Sequence, residues 1–155
     1  MESNNKSINK SLMLAVKYLS YRPKTVYEMK AYIEKKGFNK KIIEKVITIL
    51  LEQNYLNDEE FTKLYIDSMV RNKPKSKFAL SFELNQKGVN QTIVESALEP
   101  YDNNSLALKA VTPKLKIWKL LDKKNRNKKL MNFLQYRGFD YDVCMRTLEA
   151  IEKTM

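Results

Sequence analysis

The residues of this chain best placed to do chemistry are its cations. Lys114, Lys116, Lys119, Lys123, Lys124, Arg126, Lys128 and Lys129 face one acid, Asp122, within 16 residues. Arg71, Lys73, Lys75 and Lys77 gather about Pro74, and Arg22 and Lys24 flank Pro23. Groups of this kind bind anions, either nucleic-acid phosphates or an acidic protein groove. One such run alone is equally well a solvated face. Three of them, recurring near the same point of an internal repeat, predict a shared partner- or DNA-binding face. Its candidate residues are Arg22, Lys24, Arg71, Lys73, Lys75, Lys77, Lys123, Lys124, Arg126, Lys128 and Lys129.

Other chemistries find few residues. With no His and one Cys, the chain has no Ser-His-Asp or Cys-His catalysis and almost no route to a zinc site. Asp58, Glu59 and Glu60 read as a helix first turn, where carboxylates suit the dipole, rather than as metal ligands. Cys144, beside Val143, reads as a small core residue. No enzyme, metal or cofactor is expected. Net charge is +11, carried as +6 in residues 1–56, −1 in 57–100 and +6 in 101–155. Tyr21, Phe78, Trp118 and Tyr136 each adjoin a cation, which allows stacking on bases. Core or rim packing is the expectation for these rings.

The elements that must position the cations follow from the glycines. Gly and Pro together number 7 of 155, where average usage gives about 19, so helices with short connections are expected. Gly37, Gly88 and Gly138 are spaced by 51 and 50 residues. Each follows a cation (Lys36, Lys87, Arg137) and precedes an apolar residue (Phe38, Val89, Phe139), then Asn39, Asn90 or Asp140. Four residues before each stands Ile33, Leu84 or Leu134, and eight before stands Met29, Leu80 or Leu130. Glycine just past a helix end takes the left-handed conformation, the apolar residue folds back, and Asn or Asp caps the next helix. The three glycines are therefore structural turns.

A further helix precedes each pair. Leu12, Ala15, Val16 and Leu19 have helical spacing, and Pro23 ends the helix. Thr25 with Glu28, and Asn57 with Glu60, read as capping boxes. A helix over 76–87 follows Pro74. In the third copy Pro113 must kink a helix beginning at Ser105 or start a new one, and the next helix is expected from Asn125 or Arg126. The fold class is all-α: three tandem three-helix repeats (8–56, 57–100 and 103–153), about nine helices in an elongated, curved array. Each unit is too small to stand alone, so neighbours are expected to stack apolar faces. A lone Cys and the lack of a signal peptide or long apolar run suggest a monomer of a reducing cytosol, without membrane contact.

Read in order, Ala15 to Thr25 with Glu28, Lys36-Gly37-Phe38, Tyr55-Leu56-Asn57-Asp58 before Phe61, Lys73-Pro74-Lys75, Glu83-Leu84 with Lys87-Gly88-Val89, and Arg137-Gly138-Phe139 resemble the bacterial RecX regulatory proteins. The resemblance covers about residues 12–151. It departs at Ser76, where the family usually has Gly, and at Asn57, where Asp is usual. It implies tandem three-helix repeats that bind the RecA recombinase and its filament on single-stranded DNA, with duplex DNA left open as a further partner. It also implies restraint of ATP hydrolysis, strand exchange and the co-protease activity that triggers the SOS response. Two rivals stay open: a basic helical DNA-binding protein with no RecA role, and a helical adaptor for another acidic protein.

Overall fold

The structure, a computed structural model, describes residues 2–154. Among the described residues there are nine helices and no strand: α1 (Glu2–Leu19), α2 (Val26–Lys35), α3 (Lys40–Glu52), α4 (Asp58–Asn72), α5 (Lys77–Gln86), α6 (Gln91–Leu98), α7 (Asn103–Trp118), α8 (Lys123–Tyr136) and α9 (Tyr141–Thr154). Extensive packing stays inside the units, with α1 and α2 on α3, α4 and α5 on α6, and α7 and α8 on α9.

The helix ends follow from capping chemistry. Thr25 accepts from the Glu28 amide while Glu28 accepts from the Thr25 amide, a complete capping box. Asn57 accepts from the Glu60 amide, which is half of one. Asn39, Ser76, Asn90, Asp102 and Asp122 cap α3, α5, α6, α7 and α8. The glycine turns have φ of +94°, +81° and +90° at Gly37, Gly88 and Gly138. The amides of Val89 and Phe139 reach back to the carbonyls of Leu84 and Leu134, each at 3.1 Å, which closes the last turn.

Three features differ from expectation. Asn54, with φ +59°, makes a fourth left-handed stop, after α3, where Asn tolerates what most side chains do not. α7 runs through Pro113 as one helix, anchored by buried Leu106, Ala107, Ala110 and Val111. α8 starts at Lys123, not at Asn125 or Arg126, because Asp122 supplies its cap.

The cores also differ from the stacked apolar faces that small units suggest. Each unit has its own. Met29, Ile33, Val46 and Leu50 lie in the first, Leu80, Leu84, Val94 and Leu98 in the second, and Leu130, Leu134, Phe139 and Cys144 in the third. Among the described residues, the hydrophobic side chains that pack against both the second and third are Val70 and Tyr101. The accessible surface is 10257 Å², whereas a compact monomer of this mass exposes about 8,100 Å². The chain is an elongated string of three small cores.

Candidate anion-binding face at the unit junctions

Polar contacts in a fixed register join the units. The hydroxyl of Thr25 donates to the carbonyl of Lys87 at 2.6 Å, and the amide of Val26 donates to Asp58 Oδ1 at 3.0 Å. One unit along, the amide of Ser76 donates to the carbonyl of Arg137 at 3.0 Å, and the amide of Lys77 to Asn103 Oδ1 at 2.9 Å. In both cases the start of a unit's second helix is received by the next unit's glycine turn and by the first residue of its first helix. The prolines stand alike: Pro23 and Pro74 precede the docked helix and wall a cleft against α4 and α7 respectively. This docking explains why the cations flanking these prolines lie between units.

At the first junction the charges are largely satisfied. Arg22 is ion-paired with Glu28 at 2.8 Å, and this hydrogen bond raises its pKa. Lys87 lies 4.0 Å from the same carboxylate. Burial works to raise the pKa of Glu28, but Arg22, the Thr25 amide and Lys87 together bring it below its ordinary value. Lys24 is only 7% exposed. Its ammonium sits 4.2 Å from the Tyr18 ring, which stacks on Tyr32, and burial lowers its pKa. Lys24 thus packs the junction and presents no charge to a partner.

At the second junction Arg71 pairs with Asp67 at 3.2 Å, both well exposed. Lys73 and Lys77 form no ion pair among the described residues, and Lys75 is paired with Glu83. Three cations outside the candidate residues also gather here. Lys109 and Lys114 on α7, and Arg137 before its glycine, line the same cleft as Arg71. Arg137 donates to the carbonyl of Pro74 at 2.9 Å and lies 4.6 Å from the Phe133 ring. Burial lowers its pKa. The signal was the cation before each glycine, which becomes informative once the turn is known to receive a neighbour.

The basic run of the third unit divides. Arg126, 7% exposed, is paired with Glu152 at 2.8 Å, and Lys123 with the same residue at 3.3 Å. Arg126 therefore ties α8 to α9, and its place on the expected face is corrected by that burial. Lys124, Lys128 and Lys129 are exposed, and the Lys129 ammonium lies 5.9 Å from the Trp118 ring. Trp118 packs edge-on against Phe133, as expected. Tyr21, Phe78 and Tyr136 do not pack as expected: they are 75%, 76% and 82% exposed, standing at helix ends that point away from the cores.

Cys144 is buried, and burial raises its thiol pKa. Among the described residues no helix is long and apolar enough to cross a membrane.

The comparisons with known proteins agree with the repeat. Family models described as RecX first, second and third three-helix domain match residues 13–50, 57–98 and 102–148. A protein named Regulatory protein RecX from Chlorobium limicola is 34% identical over 148 residues, covering 96% of this chain and 93% of that one. Its namesake from Prosthecochloris aestuarii is 37% identical over 142 residues, covering 92% and 93%. The namesake from Bacillus subtilis is 30% identical, and there the match covers 94% of this chain but 56% of that one. The crystal structure of RecX from Lactobacillus salivarius superposes with a TM-score of 0.80 at 21% identity, over 96% of this chain and 98% of that one, a likeness of fold. The three family models and the relatives from Chlorobium limicola and Prosthecochloris aestuarii cover nearly the whole sequence, and the chain belongs to the RecX family.

Proposed function

We propose that this RecX-family chain binds the RecA recombinase and its filament on single-stranded DNA, and that it restrains the activities of that filament. The observation that supports the reading best is the recurrent junction: an elongated molecule offering cation-lined clefts at repeat intervals suits a target that itself repeats. The regulator acts by binding in the bacterial cytosol, without cofactor or catalysis. The relatives are named as regulatory proteins, and the chain has no histidine to serve as a general base. The direct test adds the protein at low concentration to RecA hydrolysing ATP on single-stranded DNA. Hydrolysis should fall at protein concentrations well below those that bind free DNA, and no effect at a large molar excess would sink the reading.

A further inference from the structure

The two junctions share a register and differ in their acids. Glu28 is the third residue of α2, its amide bonded to the Thr25 cap, and from there its carboxylate neutralises Arg22 and Lys87. The corresponding residue of α5, with its amide bonded to the Ser76 cap, is Ala79. The second cleft thus has Arg137 where the first has Lys87, gains Lys109 and Lys114 from α7, and has no acid at the Glu28 position, while Arg71 is paired with Asp67 at 3.2 Å. Arg71, Lys109, Lys114 and Arg137 line it, and no Asp or Glu does.

Two of the four charges are held in place. Arg137 is anchored across the junction by the Pro74 carbonyl, and both it and Lys114 lie over the Phe133 ring, at 4.6 and 5.7 Å. A ring bearing a cation on its face favours that placement. The cleft, of ≈ 470 Å³, has apolar walls in Pro74, Ala110, Pro113 and Phe133 and sets four cations among them. That suits a ligand whose every unit carries a negative charge and needs no side-chain pocket.

We propose that the cleft between the end of α4 and α7 holds the phosphodiester backbone of a nucleic acid, with Arg71, Lys109, Lys114 and Arg137 as its counter-charges. It names where the strand of the RecA filament is gripped, and to that extent rests on the function proposed above. Contacts to phosphate alone give binding indifferent to base sequence and steeply dependent on salt.

The test uses the intact chain, a labelled oligothymidylate and a duplex of equal length, with affinity measured against salt. In Lys109→Ala/Lys114→Ala the slope of log affinity on log salt should flatten by about 0.7 for each single-strand phosphate released, or about 0.9 for each duplex phosphate. Whichever arm flattens identifies the source. Ala79→Glu, which restores the acid found at position 28, should weaken the same arm while circular dichroism stays unchanged. The exposed pair Lys41→Ala/Lys45→Ala on α3 should leave the slope as it was. The proposal is overturned if the cleft variants keep the wild-type slope, if the α3 pair flattens it equally, or if polyglutamate binds the wild type more tightly than either nucleic acid. RecA ATP hydrolysis, run in parallel, judges the regulator reading separately, so either can fail alone.

Discussion

The Cβ of Tyr27 lies 2.2 Å from the point where a side chain on Gly88 would begin. Gly138 meets Ser76 Oγ at 2.6 Å and Ala79 Cβ at 2.9 Å in the same way, whereas nothing lies within 4 Å of that point on Gly37. All three need their left-handed φ, but only Gly88 and Gly138 also admit a neighbouring unit. Gly37→Ala should cost about 1–2 kcal/mol, the strain of the conformation alone. Gly88→Ala should cost more, because the neighbour atom is a Cβ fixed to its backbone and the first two units must part. Urea denaturation of the two variants checks this, and equal losses would contradict it.

Asp58 and Asn103 perform the same junction task with different charge. Burial raises the pKa of Asp58, the nearby Glu28 carboxylate adds to this, and the hydrogen bond from Val26 partly offsets them. Asp58→Asn keeps the acceptor and removes the desolvated charge, as Asn103 does naturally. Stability at neutral pH should stay within about 1 kcal/mol of wild type, since the hydrogen bond survives. Asp58→Ala orphans the Val26 amide and should cost about 1–3 kcal/mol. Thermal or chemical denaturation distinguishes the pair.

Acid should loosen the first junction through Glu28. Its folded pKa is depressed, so its contribution is complete above the unfolded value of about 4.3 and is lost as pH falls through the folded value. Asp58 has the opposite sign: its raised pKa costs stability above that value, and acid relieves the cost. Stability against pH should therefore fall less steeply on the acid side in Glu28→Gln, and more steeply in Asp58→Asn. A steeper limb in Glu28→Gln would refute the assignment.

Charge reversal beside the second junction should reach function. Arg71→Glu/Lys73→Glu/Lys77→Glu leaves the Lys75–Glu83 pair intact. It should weaken inhibition of RecA ATP hydrolysis by at least about tenfold, the effect of about 1.4 kcal/mol, and flatten its dependence on salt. Wild-type inhibition across salt would show that this face does not meet the target.

The glycine register made the architecture legible, because a left-handed turn at a helix end leaves glycine little competition. Asn54 escaped notice because asparagine fills that conformation without the compositional signal of glycine. The basic runs showed which stretches carry cations but not which of those cations stay exposed. Lys24 and Arg126 are themselves buried, against Tyr18 and Glu152, and no spacing rule separates them from exposed lysines. Lys109, Lys114 and Arg137 escaped because they lie 38 or more residues along the chain from Arg71, and only the docking of one unit on the next unites them.

Counting 12 residues back from each glycine reaches Thr25, Ser76 and Arg126. The first two begin a helix there and dock it on a following turn, while α8 begins a turn earlier and Arg126 is locked to Glu152. A contact that is directional and identical at every step would, between molecules, grow into a fibre without end. The open Gly37 turn is one half of such a contact, and the longer α8 does not offer the other half in the same form. The extra helical turn therefore denies the third unit the helix start by which the first two dock, so the step that joins one unit to the next is not offered again in that form.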